Sequence, residues 1–165
     1  MTELPEYILD REFSAPREMV WRTWTDPELL KRWYGPNIET VIHRFELKPG
    51  GVWLNEMKMS SGSNYSKAVF QEIDEPTKLV WQQHSMTDEN WNDIENPRMG
   101  DWPRLLLTTV TFEDLGASTR TRLTWVPMDA TDAEIACFAG AVKGMGGGWE
   151  SGYAIIDQIL QELQA

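Results

Sequence analysis

The C-terminal stretch of residues 144–164, GMGGGWESGYAIIDQILQELQ, decides the fold. Its apolar side chains recur at spacings of four, three, four and three, at Trp149, Tyr153, Ile156, Leu160 and Leu163. This period is typical of a helix with one apolar stripe, and it predicts a helix at about 148–164. Such a helix is stable only if another part of the chain covers the stripe.

The glycines that open this stretch do not match a phosphate-binding loop. No Lys-Ser or Lys-Thr pair follows them, and Trp149 stands where a dinucleotide-binding loop would need its last glycine. We expect instead that they let the chain kink between two helical pieces, or let the helix backbone lie close to a sheet.

The middle of the chain predicts the surface that covers the helix. Alternating apolar and polar residues indicate a first strand at 6–14, and turn signals separate three pairs of later strands. These pairs are 38–47 with 52–59, 65–74 with 78–86, and 105–113 with 118–126. Hairpins in series favour antiparallel pairing. We therefore predict an α+β fold in which a curved antiparallel sheet of about six or seven strands faces the C-terminal helix.

Three shorter helices are also predicted. Ala15-Pro16 begins one directly after the first strand, and Asp26-Pro27 caps and begins a second, which Tyr34-Gly-Pro36 ends. Thr131 and Glu134 form a capping box for another helix, just before the glycines.

Length and charge limit the class of protein. The 165 residues predict one domain, 1–165, and the formal net charge of −11 argues against nucleic acid and anionic membranes as partners. No apolar run of about 18 residues and no signal core is present, and Cys137 is the only cysteine. We predict a cytoplasmic protein, with no indication of its oligomeric state.

Metal and catalytic motifs are not found in the sequence. Neither His43 nor His84 has a second ligand at zinc-binding spacing, and there is no nucleophile elbow or Ser/His/Asp set. We predict no metal, no cofactor and no catalytic residue, although acid–base work by His84 stays open.

Tryptophan is over-represented, with nine residues, and points to the candidate site. Strand parity puts several of these rings on faces that should converge on the helix, where they form either a solid core or the wall of an apolar cavity. The candidate ligand-binding residues are Trp33, Trp53, Met57, Trp81, Leu123, Trp125, Trp149, Tyr153 and Ile156, with Trp149 and Tyr153 expected to be largely buried.

Arg11 is a further candidate, because parity places it on the inward face with Leu9 and Phe13. A buried guanidinium needs a carboxylate, a backbone acceptor or water, and Glu46 is the internal partner that we suspect. The alternative is that Arg11 reaches the cavity and binds the acidic head of a ligand. The long segment 87–103 carries Trp91 and Trp102, and we predict that one of them folds over the open end of the sheet.

Several short motifs carry a resemblance that covers nearly the whole chain. They are Arg11–Pro16, Val20-Trp21, Trp24–Glu28, Trp33–Pro36, Lys48–Gly51, Pro76, Leu79-Val80, Thr121–Leu123 and Gly148-Trp149. In this order they resemble the activator-of-heat-shock-chaperone-ATPase homologue family, in the START-like or SRPBCC superfamily. Glu46 and Lys48 stand where the family usually has Asp and Arg.

The resemblance implies a helix-grip fold, a cavity for a lipid-like or aromatic ligand, and a link to the stress response. Fold alone does not fix function. We therefore expect non-catalytic binding of a small hydrophobic or amphipathic molecule. One alternative is a co-chaperone-like module that stimulates a chaperone ATPase, which we favour less because the chain starts directly at the first strand. The other is an enzyme, of hydrolase or cyclase type, that uses the same cavity.

Overall fold

An antiparallel sheet of seven strands dominates the part of the chain that the structure describes. The computed structural model describes residues 4–35, 38–96 and 100–165. The strands are β1 (Tyr7–Phe13), β2 (Glu39–Phe45), β3 (Val52–Met59), β4 (Gly62–Asp74), β5 (Lys78–Thr87), β6 (Leu105–Asp114) and β7 (Thr119–Met128). Their order in the sheet is β1-β7-β6-β5-β4-β3-β2, and every neighbouring pair is antiparallel. The predicted α+β fold class and antiparallel pairing are confirmed.

The strand boundaries differ from the predicted ones mainly at β4. This strand begins at Gly62 instead of residue 65, because a tight turn at 60–61 joins it to β3. Gly62 has a φ of 126°, a conformation that side-chain-bearing residues rarely adopt. The predicted turns at 48–51 and 74–77 lie between strands as expected.

Within the described ranges, four α-helices accompany the sheet: α1 (Arg17–Thr25), α2 (Pro27–Trp33), α3 (Asp132–Ala141) and α4 (Gly146–Gln164). The predicted caps are confirmed, because Asp26 accepts from the backbone N–H of Glu28 at 3.0 Å and Thr131 forms a reciprocal capping box with Glu134. Pro36, the predicted end of α2, lies outside the described residues, as do residues 97–99 of the segment 87–103.

The glycines act as expected in part. A short 3-10 helix at Val142–Gly144 separates α3 from α4, so the first glycines lie between two helical pieces. The close backbone approach occurs further on, at Gly152, and its partner is α2. A methyl group added to Gly152 would lie 2.9 Å from the carbonyl oxygen of Trp33. The expected approach to the sheet is therefore replaced by an approach to a helix.

The apolar stripe of α4 is buried as its spacing predicts. Tyr153, Ile156 and Leu160 are each at most 2% exposed, and the Tyr153 ring meets Phe13 of β1 with centroids 5.3 Å apart. Trp24 of α1 contacts Trp33, Trp81, Trp149 and Tyr153, with its closest centroid distance of 4.5 Å to Trp33. One end of the sheet–helix interface is thus a solid aromatic core.

Candidate functional site

Two adjoining pockets open at the other end of the sheet–helix interface. The first, here called the sheet pocket, has a cavity volume of about 180 Å³, and the second, the helix pocket, about 290 Å³. Four residues line both: Tyr34, Met57, Trp102 and Trp125. Because the two pockets share these walls, one elongated molecule could occupy both.

The sheet pocket is built by strand alternation. Its floor is formed by inward-facing positions of adjacent strands, namely Ser66 of β4, Gln83 and Ser85 of β5 and Leu106 of β6. Register explains their proximity, because Gln83 pairs with Leu106 across the β5–β6 ladder. Asn64, Tyr65 and Met86 complete the rim. Polar side chains therefore lie in the sheet pocket, whereas the residues found only in the helix pocket are tryptophan, methionine and glycine.

The helix pocket lies where α4 begins. Trp33, Gly35, Met145, Trp149 and Gly152 form its wall together with the four shared residues. The Trp149 ring contacts Trp125 with centroids 5.4 Å apart and Tyr34 with centroids 6.1 Å apart. Gly152 lets α4 lie close to Trp33 in this wall, since an added methyl group would lie 2.9 Å from the Trp33 carbonyl oxygen.

Trp102 is one of the residues that line both pockets. Its ring packs on Phe138 of α3, with centroids 5.5 Å apart. The backbone next to it is fixed to β5, because the Ser85 hydroxyl donates to the carbonyl oxygen of Pro103 at 2.8 Å and the Ser85 N–H donates to that of Arg104 at 2.9 Å.

Trp91, the other tryptophan of the segment 87–103, lies elsewhere. Its ring contacts Tyr65 and His43, each with a centroid distance of 5.5 Å, and its carbonyl oxygen accepts from the Lys67 ammonium at 3.1 Å. Trp102 is therefore the tryptophan of this segment that lines the pockets, and Trp91 is not.

The candidate residues chosen from the sequence divide into two groups. Trp33, Met57, Trp125 and Trp149 line a pocket. The others are packed into the core without lining either pocket: Trp53, Trp81, Leu123, Tyr153 and Ile156, all at most 3% exposed. Trp149 is partly buried, and its ring borders the helix pocket. Ligand binding by these residues stays a prediction.

Arg11 requires a correction. Its guanidinium does not pair with Glu46 but forms two hydrogen bonds with Asp157 of α4, at 3.0 and 2.8 Å, and its carbon lies 4.8 Å from the centroid of the Phe13 ring. Glu46 is bound to Arg44 at 2.8 Å and to the backbone N–H of Val52. Arg11 also lines neither pocket. Parity placed Arg11 on the correct face, but its long side chain extends to the helix.

Sequence reasoning missed several lining residues. Tyr34, Gln83, Ser85 and Leu106 were not proposed, although a signal existed for three of them. Gln83 and Ser85 continue the inward parity of Trp81, and Tyr34 follows Trp33 directly. Polar residues were passed over because the expected site was apolar.

The pockets are neutral. None of the described residues that line them is acidic, basic or a histidine. Burial raises the pKa of Tyr34 to about 12, so its hydroxyl stays protonated and can donate a hydrogen bond at neutral pH. The Trp81 indole N–H donates to the Gln83 amide oxygen at 3.0 Å and fixes the orientation of that amide.

The two histidines are each paired with a carboxylate outside these pockets. His43 Nε2 lies 2.8 Å from Glu56, and His84 Nδ1 lies 2.8 Å from Asp93. In the described part of the chain, no group of three or more His, Cys, Asp or Glu side chains is arranged to hold a metal ion. Within those same residues, no helix combines the length and apolar character needed to cross a membrane.

A curved antiparallel sheet that holds a C-terminal helix, with pockets between the two, defines a helix-grip protein. Comparison with protein families agrees with this class. Residues 14–161 match the family described as Activator of Hsp90 ATPase homolog 1-like protein, and the chain belongs to that family. A comparison with curated proteins finds no match.

Solved structures share the fold at low identity. A protein from Arthrobacter aurescens is 24% identical with a TM-score of 0.78, over 95% of this chain and 86% of the other. One from Mycobacterium smegmatis is 22% identical with a TM-score of 0.77, over 96% of both chains. A Rhodobacter sphaeroides protein is 20% identical with a TM-score of 0.74, over 96% of this chain and 93% of the other. These likenesses support the fold alone.

Proposed function

We propose that residues 1–165 form one domain that binds a small apolar or amphipathic molecule in the sheet and helix pockets, without catalysing a reaction. The observation that carries this proposal is the set of aromatic walls around connected open space. Tyr34, Trp102, Trp125 and Trp149 border that space, and charged side chains are missing from the described lining. Rigid aromatic walls with a few polar groups are the usual form of a small-molecule site.

The size of the pockets limits the ligand. Volumes of about 180 and 290 Å³ suit a molecule of one or two rings, or a short branched chain. Four shared residues connect the spaces, so a ligand with a planar body and a polar end would place its body against Trp149 and its end near Gln83.

A cavity-filling variant tests this function. Ser66 lies on the floor of the sheet pocket, and Ser66→Met should fill that space and abolish binding of naphthalene, whereas Ser66→Ala should keep the space and the affinity. Binding is measured by calorimetry and by the rise in melting temperature, since a ligand at about 100 times its Kd stabilises by about 2.7 kcal/mol. Equal binding by both variants would place the ligand outside the pocket.

Native mass spectrometry of the purified protein is the independent measurement. A small molecule that stays with the wild type and is missing from Ser66→Met would identify the natural ligand class. The Ser66→Ala protein serves as the matched control and should retain that mass.

A second candidate function follows from the family description alone, which names an activator of a chaperone ATPase. Under this alternative the protein would stimulate ATP hydrolysis by an Hsp90-type chaperone. A coupled ATPase assay with and without the protein tests it. Stimulation that persists in Ser66→Met would support a surface contact and would separate this function from ligand binding.

A further inference from the structure

A buried amide without partners lies directly behind the lining of the sheet pocket, next to two of its residues, Met57 and Ser66. Asn55 of β3 is 2% exposed, and neither its amide nitrogen nor its amide oxygen finds a hydrogen-bond partner among the described residues. Because both atoms are unpartnered, the conclusion holds whichever way the amide is turned. A buried amide in this state destabilises the folded protein, so packing alone would favour an apolar residue here.

The position of Asn55 connects it with the pocket. It lies on the same face of β3 as Met57, two residues further on, and it pairs directly with Ser66 across the β3–β4 ladder. Met57 and Ser66 both line the sheet pocket. The amide therefore lies beside the pocket floor, at the end where the polar side chains gather.

Other hydrogen-bond donors lie near the same space: Trp125 and Gln83 line the sheet pocket, and Trp53 precedes Asn55 by two residues on the same face of β3 without lining it. The indole N–H groups of Trp53 and Trp125 are buried and have no partner in the described part of the protein. Gln83 uses its oxygen for Trp81 and one amide hydrogen for the carbonyl oxygen of His84 at 3.4 Å, which leaves its second hydrogen. Among the unpartnered buried side-chain atoms of Asn55, Trp53 and Trp125, three are nitrogen donors and one is an oxygen acceptor.

We propose that the sheet pocket recognises an uncharged ligand by a hydrogen-bond-accepting oxygen, such as a ketone or ester carbonyl, with Asn55 as a specificity-determining residue. An acceptor satisfies the unpartnered N–H groups. A carboxylate would lose its hydration in a pocket whose described lining holds no cation, inside a protein of net charge −11. This inference rests on the proposed ligand-binding function and adds the chemical class of the ligand.

Three probes with one ring skeleton test the inference: naphthalene, acetylnaphthalene and naphthoate, the last two substituted at the same ring position. Calorimetry on the wild type at neutral pH should show acetylnaphthalene binding roughly tenfold more tightly than naphthalene, because a net hydrogen bond contributes about that factor. Naphthoate should bind more weakly than both.

The wild-type ranking already decides the question. Equal binding of naphthalene and acetylnaphthalene, or naphthoate binding as tightly as the ketone, would overturn the inference and leave the proposed function standing. If none of the three binds, the proposed function fails and the inference fails with it.

A variant assigns the preference to Asn55. Asn55→Leu has nearly the same size and removes the amide, so the preference for acetylnaphthalene should disappear while naphthalene affinity is retained. Its melting temperature should stay level or rise, because the unpartnered polar group is gone. Asn90→Leu, at an exposed loop position, is the matched control and should keep the preference. An unchanged preference in Asn55→Leu would remove Asn55 from the recognition.

Discussion

Arg11 and Asp157 join the first strand to the C-terminal helix through two hydrogen bonds, of 3.0 and 2.8 Å. The two side chains are 35% and 39% exposed, so solvent screens much of their attraction. The hydrogen bonds to Asp157 raise the pKa of Arg11, which keeps the guanidinium charged. The pair therefore fixes α4 against β1 at the edge of the sheet, away from the two pockets.

A double-mutant cycle should measure this pair. Arg11→Met keeps the stem of the side chain and removes the charge, and Asp157→Asn removes the opposite charge. We expect a coupling energy of about 1 kcal/mol in urea unfolding, because the pair is bidentate but half exposed. Coupling near zero would show that the contact is fully screened.

The same variant tests whether Arg11 takes part in ligand binding. Since Arg11 lines neither pocket, Arg11→Met should bind naphthalene and naphthoate with the affinities of the wild type. A loss confined to naphthoate, by more than about tenfold, would restore Arg11 as an anchor for acidic ligands.

Gly152 should not tolerate a side chain. An added methyl group would lie 2.9 Å from the Trp33 carbonyl oxygen and 3.2 Å from a Trp33 ring carbon, and both belong to a fully buried residue. Gly152→Ala should therefore destabilise the protein by about 1–3 kcal/mol, despite the better helix propensity of alanine. Urea unfolding measures the change.

Gly140 is the matched control for that substitution. It lies in α3, and a methyl group added there meets nothing within 4 Å. Gly140→Ala should stabilise the protein by roughly 0.5–1 kcal/mol through helix propensity. If both alanine variants are stabilised, α4 can move away from α2, and the close approach is not a constraint.

Two tryptophans of the helix pocket should differ in their contribution to stability. Trp33 is 1% exposed and donates its indole N–H to the carbonyl oxygen of Thr23 at 2.8 Å, so Trp33→Ala should cost about 3–5 kcal/mol. Trp149 borders open space, so Trp149→Ala should cost clearly less and should weaken naphthalene binding. Similar losses of stability would mean that the pocket collapses when either ring is removed.

The sequence was sufficient for the sheet and the helices because each is encoded by local period and turn chemistry. The stripe from Tyr153 to Leu160 and the capping box at Thr131 are examples, and both are confirmed. The pocket is different, since it depends on which inward-facing rings leave space. Trp53 and Trp149 have similar sequence signals, yet one is core and the other is a wall. Arg11 is a second example. Strand alternation predicts the face on which Arg11 lies, but its partner depends on the length of its side chain and on the distance between β1 and α4.

Alkaline pH should destabilise the protein through three tyrosines, of which Tyr7 and Tyr153 are buried and Tyr34 is partly buried. Burial raises the pKa of Tyr34 to about 12 and also raises the pKa values of Tyr7 and Tyr153 above the ordinary value of 10.0. The folded state then holds these protons more tightly than the unfolded state. Their contribution to stability is fully present below about pH 10 and is lost as the pH rises from there toward the folded pKa values.

Urea unfolding at about pH 9 and about pH 11 measures that loss. Lysine side chains also lose charge over this range, so the wild type alone cannot assign the effect to tyrosine. Tyr34→Phe removes one titrating hydroxyl and keeps the ring that contacts Trp53 at 4.8 Å. The drop in stability between the two pH values should therefore be smaller in Tyr34→Phe than in the wild type. An equal drop would mean that the Tyr34 hydroxyl is hydrated through the open pocket and titrates like a free phenol.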